Sequence, residues 1–119
     1  EEEIRARDMY FKAITVCAEE GRNEEGKKLL RQVVKLNPYV GEPHAVLAHC
    51  LILEQDYEQA DAHAGSAVRL LLGWGTQWDK RLSWGGWMSW SRVLRQSAQR
   101  KSFPTDSWGM LNLGLVPFN

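Results

Sequence analysis

The spacing of apolar residues is clearest over residues 42–73, where it predicts two antiparallel helices closed by a tight turn. Leu47, Ala48, Leu51 and Ile52 fall on one face of the first helix, at the i, i+1, i+4, i+5 spacing of an apolar stripe. Pro43 suits the opening turn of that helix, because a proline there leaves no hydrogen bond unmade. Asp56 is placed to cap a second helix, and Gln59, three residues on, completes a capping box. Tyr57, Ala60, Ala64, Ala67, Val68 and Leu71 mark the buried stripe of this second helix, and Gly73 is its expected stop. The small side chains of Ala60, Ala64 and Ala67 let two helix backbones approach closely. One such pair cannot cover its own apolar faces, so the pattern calls for neighbours.

A similar pattern precedes it. Ile4, Met9, Tyr10, Ala13, Ile14 and Cys17 give a helical stripe over residues 2–20, with Glu1, Glu2 and Glu3 suited to the positive end of the helix. Gly21-Arg22-Asn23 reads as a turn with Asn23 as the cap. Leu29, Leu30, Val33, Val34 and Leu36 place a second helix over residues 24–36, ended by Pro38. The two hairpins align: Tyr10 with His44, Cys17 with Leu51, Gly21 with Gln55, Asn23 with Tyr57, Gly26 with Ala60, Leu30 with Ala64, Val33 with Ala67 and Leu36 with Leu70, every pair 34 residues apart. A helix-turn-helix unit repeating at that period resembles the tetratricopeptide (TPR) repeat. The resemblance is carried by Leu47-Ala48, Asp56-Tyr57, Ala60, Ala67 and the Lys35-Leu36-Asn37-Pro38 junction. It departs from the family pattern at Tyr10 and His44, where the family usually has Trp, and at Gly26, where it usually has Ala. These departures are expected to weaken packing in the outer repeat. The resemblance implies an all-α, right-handed solenoid of helix pairs, with repeats over residues 7–40 and 41–74.

A solenoid of this kind needs about three helix pairs, the last capping the exposed apolar face. Residues 75–103 are therefore expected to form a degenerate third unit. Thr76-Gln77-Trp78-Asp79 resembles a capping box and predicts a helix start, Gly85-Gly86 predicts a break, and a further helix is expected through Arg100. Trp87, Trp90, Val93, Leu94 and Ala98 supply its stripe, and Pro104 closes the region. Five of the six tryptophans lie between residues 74 and 90, which concentrates bulk where a cap is needed. In the tail, residues 104–119, Leu111, Leu113 and Leu115 alternate with Asn112 and Gly114. That period of two predicts an extended apolar segment, folded back onto the domain or onto a neighbour.

Length and charge refine this picture. The chain has 119 residues, enough for one domain, and it begins with Glu1, so it reads as a piece of a longer protein. Its net charge is zero, but residues 1–75 carry 9 Lys/Arg against 13 Asp/Glu, while residues 76–119 carry 6 against 2. The basic second half is either one side of a complementary surface or a face for a partner. Cys17 and Cys50 sit in apolar helical runs and suggest buried free thiols, in keeping with a cytoplasmic location. His44, His49 and His63 show no metal-ligand spacing, and no phosphate-binding loop, dinucleotide fingerprint or nucleophile elbow is present. Neither an enzyme nor a cofactor is expected.

Surface recognition remains. The resemblance places a groove on the first helix of each pair, at Asp8, Phe11, Lys12, Thr15 and Glu19 and at Glu42, Ala45, Val46, His49 and Leu53. The clamp positions for a chaperone C-terminal carboxylate fall on Phe11, Thr15, Ala45 and His49, which lack the Asn and basic residues needed, so that partner is disfavoured. Phe11, Val46 and Leu53 suit an apolar partner segment, unless the third unit or the tail fills the groove first. Trp78, Trp84, Trp87 and Trp90 read either as capping core or, with Arg81, Arg92 or Arg95, as a protein-binding hot spot. A membrane-surface or nucleic-acid role for the basic Trp-rich segment is the alternative. The run Trp78-Asp79-Lys80-Arg81 followed by Ser83-Trp84-Gly85-Gly86-Trp87-Met88-Ser89-Trp90 is similar to a small group of plant TPR-like proteins. That resemblance implies an adaptor or scaffold role in plant immunity, with a secreted fungal chitinase as the folded partner.

Overall fold

The computed structural model describes residues 2–104 and 112–118, and all of its regular structure among these is helical. Five helices follow one another: α1 (Glu2–Cys17), α2 (Asn23–Leu36), α3 (Gly41–Leu53), α4 (Tyr57–Trp74) and α5 (Trp84–Arg100). α1 packs on α2 and α3 on α4 as antiparallel hairpins; α2 then packs on α3, and α5 lies across α4 and touches α3. Residues 34 apart play matching parts. Tyr10 and His44, Cys17 and Leu51, Gly26 and Ala60, Leu30 and Ala64, and Val33 and Ala67 are all buried. The hairpin turns match as well, with Gly21 at φ 84° and Gln55 at φ 62°.

α3 lies at the centre, and its residues from Gly41 to Ile52 are all buried. A helix buried all round needs apolar residues on every face, which accounts for the near-continuous run from Ala45 to Leu53. Three polar side chains of α3 are buried with it, and each meets a different part of the chain. Glu42 takes the α4–α5 loop, His44 reaches His63 on α4, and His49 reaches the tail at Val116. The alanine face of α4 packs against α3 with Ala60, Ala64 and Ala67 fully buried.

Several boundaries depart from the expectations, each for a local reason. α1 ends at Cys17, three residues before the predicted end. Asn23 opens α2 instead of capping it and donates to the Cys50 carbonyl at 3.0 Å and to Glu54 at 2.9 Å, which ties the two hairpins together. α4 runs through Gly73 to Trp74, and Gly75, at φ 75°, makes the stop. No helix begins at Thr76. The N–H groups of Gln77, Trp78 and Asp79 converge on one oxygen of Glu42, at 2.8, 2.9 and 3.1 Å, and a loop wraps the carboxylate. Gly85 and Gly86 cause no break. They sit in the first turn of α5, capped by Ser83, whose hydroxyl accepts from the Gly86 N–H at 3.0 Å. First-turn N–H groups have no partner within the helix, so glycine costs less there than in its middle. In the tail, Asn112 and Leu113 form a helical turn, Gly114 takes φ 67°, and residues 115–118 have no regular structure. Leu111 lies outside the described residues. Leu113 and Leu115 are both buried.

Candidate interaction surface

The groove positions do not form one open surface. Val46 is fully buried, Leu53 half-buried and His49 buried, while Phe11 and Thr15 lie exposed on α1. The Thr15 hydroxyl donates back to the Phe11 carbonyl at 3.1 Å, within the helix. The tail covers His49. The His49 Nε2–H donates to the Val116 carbonyl at 2.9 Å, and the imidazole lies 4.4 Å from the Phe118 ring and 5.9 Å from Trp90. Phe118 stacks in turn on Phe103 at 5.8 Å. With Nε2 donating, Nδ1 is a buried acceptor with no partner among the described residues. Burial therefore lowers the His49 pKa to about 4, the bond to Val116 offsetting only part of the effect.

Arg81 and Trp87, two of the expected hot-spot residues, serve the interior. Buried Asp79 accepts from the Tyr10 hydroxyl at 2.7 Å and from Arg81 Nε and Nη2 at 2.9 and 2.6 Å. Burial alone would raise the Asp79 pKa, but the hydrogen bonds from Arg81 and Tyr10 hold it below the usual carboxylate range. Burial, with the neighbouring Asp79 charge, pushes the Tyr10 phenol well above its ordinary value. Arg81 also donates to the Leu113 carbonyl at 3.2 Å, a second fastening of the tail. Trp87 is fully buried, and its indole N–H donates to the Asp79 carbonyl at 2.8 Å. Trp78 and Trp90 are buried too, so three of the four tryptophans assigned to a cap lie in the core.

Trp84 and Arg92 stand apart from this network. Trp84 is 47 % exposed, and its indole N–H is pinned to the Leu71 carbonyl at 2.8 Å. With Arg92 it lines a groove of about 380 Å³ along α5, shared with Gly85, Met88, Ser89, Val93 and Gln96. Trp84, Met88, Arg92 and Gln96 recur every four residues and so form one ridge of the helix. Arg92 enters no ion pair among the described residues. Met88 and Val93 were not anticipated as site residues. The four-residue spacing from Trp84 was present in the sequence, but a break at Gly85-Gly86 would have put Trp84 outside the helix.

A wider recess of about 770 Å³, between the start of α4 and the end of α5, is lined by Asp56, Asp61, Gln99 and Lys101 among others. Two of its carboxylates are engaged: Asp56 accepts from the Gln59 side chain at 2.8 Å and Asp61 from Gln99 at 3.3 Å. Among the described residues no cluster of three or more His, Cys, Asp or Glu could hold a metal ion, and no helix is long and apolar enough to cross a membrane. No protein-family model matches this chain, and no curated protein or solved structure matches it either.

Proposed function

We propose that this chain is a non-catalytic protein-interaction module of the TPR kind, and that it docks a partner protein through the outer face of α5. The observation that carries the reading is Trp84, a half-exposed indole held in place by its bond to Leu71, beside an unpaired Arg92. Trp and Arg dominate binding hot spots, and an anchor already fixed in one rotamer loses little entropy when a partner covers it. Met88 and Val93 supply the apolar floor between them. The partner surface that fits is an apolar patch with an acidic residue facing Arg92. The matching burial at residues 34 apart and the paired turns at Gly21 and Gln55 support the TPR reading. The plant-immunity setting, with a secreted fungal chitinase as partner, rests on the sequence resemblance alone.

The test is affinity capture followed by binding measurements on purified partner and variants. Trp84→Ala is expected to weaken binding about thirtyfold, and Arg92→Glu comparably. Phe11→Ala and Thr15→Ala, at exposed α1 positions, are expected to leave it unchanged. The reverse pattern would move the site to α1. Steep loss of binding with salt to vesicles or oligonucleotides, with no protein partner, would favour the membrane or nucleic-acid role.

A further inference from the structure

Tyr39 and Trp74 are the most exposed large hydrophobic side chains among the described residues, at 66 % and 64 %. A single exposed aromatic needs no explanation, but these two converge. They come from different parts of the chain, the α2–α3 loop and the end of α4, and line one open cavity of about 410 Å³. Glu3, from the first turn of α1, stands at the same cavity, with Asn37, Val40 and Gln77 completing it. Glu3 enters no ion pair among the described residues.

We infer that this cavity is a recognition site for an arginine side chain presented by a partner polypeptide. Two aromatic faces and a carboxylate all favour a cation, because the ring faces carry negative electrostatic potential. The excess of acidic residues in positions 1–75 adds to the attraction. An anion would meet Glu3 as a like charge, and a purely apolar group would bury that carboxylate without compensation. Hydrogen-bond acceptors decide between cations. Gln77 turns its amide N–H onto the Trp74 carbonyl at 2.9 Å, which leaves its side-chain oxygen as an acceptor beside the Glu3 carboxylate, whereas the Asn37 side-chain oxygen is taken by the Tyr39 N–H at 3.2 Å. A guanidinium brings five N–H donors in a plane that both stacks on indole or phenol and forks onto a carboxylate. A quaternary ammonium brings none and would give the Glu3 carboxylate and the Gln77 oxygen no hydrogen bond.

The walls are held before any ligand arrives. The Gln77 main chain is anchored to Glu42 at 2.8 Å, Gly75 caps α4 on the Leu71 carbonyl at 2.9 Å, and buried Val40 closes the floor. The site is separate from the α5 groove and does not depend on it.

The experiment is a titration of the isotope-labelled full chain with short blocked peptides, following the Trp74 indole N–H resonance, assigned with Trp74→Phe. The peptides are alike except for one central residue: arginine, its neutral isostere citrulline, or trimethyllysine. The arginine peptide is expected to shift the Trp74 signal and saturate, with citrulline weaker by about tenfold. Glu3→Gln, a surface change checked by an otherwise unaltered spectrum, is expected to weaken arginine binding three- to tenfold, about the range of an exposed charge-assisted contact. Trp84→Ala and Arg92→Glu are expected to leave the titration unchanged, which separates this site from the α5 face. Equal shifts with arginine and citrulline, tighter binding of trimethyllysine, or no response of Trp74 to the arginine peptide would each overturn the inference.

Discussion

Glu42 is a carboxylate with no exposed surface, and its partners are main-chain N–H groups about 35 residues further along the chain. One oxygen collects three donors from the α4–α5 loop, and the other is buried without a partner among the described residues. In Glu42→Gln, one position would hold an amide nitrogen with no acceptor, or the three N–H groups would face a donor. Chemical denaturation is expected to show a loss of about 1–3 kcal/mol, the cost of a buried unsatisfied polar group. Unchanged stability would mean that the loop does not depend on the charge. Single residues were legible where the rule was local. Asp56 caps α4, accepting from the Gln59 N–H at 3.4 Å, as its spacing from Gln59 indicates. Gly26 departs from the family pattern, which suggests weaker packing, but the glycine fits its neighbours. A methyl group there would lie 2.5 Å from the Cys17 sulfur, so the glycine makes room for a thiol that itself sits 3.5 Å from Cys50. Such complementarity lies between elements, and a periodicity along one helix carries no trace of it.

At the scale of elements, the four helices of the two hairpins were readable because each carries its own stripe, turn and cap. The region after Trp74 was not, because its order comes from distant groups. Thr76–Asp79 has the composition of a helix start, but Glu42 draws its N–H groups into a loop. Gly85-Gly86 has the composition of a break, but Ser83 caps the helix just ahead of it. The described part of the tail is fastened by Arg81 on the Leu113 carbonyl, His49 on the Val116 carbonyl and Phe118 on Phe103, partners its own sequence does not announce. Leu113→Ala removes the most deeply buried apolar side chain of the described tail. It is expected to cost about 2–4 kcal/mol in denaturant unfolding. A cost below about 0.5 kcal/mol, the range of an ordinary surface change, would show that the tail is not part of the core.

For the whole molecule, the three histidines make stability depend on pH. Burial, first of all, holds His44 below its ordinary value; for His63 burial and then the nearby His44 and Arg31 charges lower the pKa to about 4, as burial does for His49. A depressed histidine pKa means that the unfolded chain binds protons the folded chain refuses. Its contribution is complete above the unfolded value near 6.5 and is lost as pH falls toward 4. Fully buried His49 alone changes stability by about 3 kcal/mol across that window. His49→Gln keeps a donor for Val116 without titrating, so its denaturation midpoint is expected to fall less steeply between pH 6.5 and 4; equal slopes would contradict the burial account. The same packing decides which surface is left to a partner. Val46 and His49 are buried, while Trp84 and Arg92 are exposed on α5 with Met88 buried between them. Amide hydrogen exchange of the captured complex against the free chain tests this most directly. The account predicts slowed exchange along residues 84–96 with none gained at residues 11–15 or 45–53, and protection gained at residues 11–15 or 45–53 with none along 84–96 would contradict it.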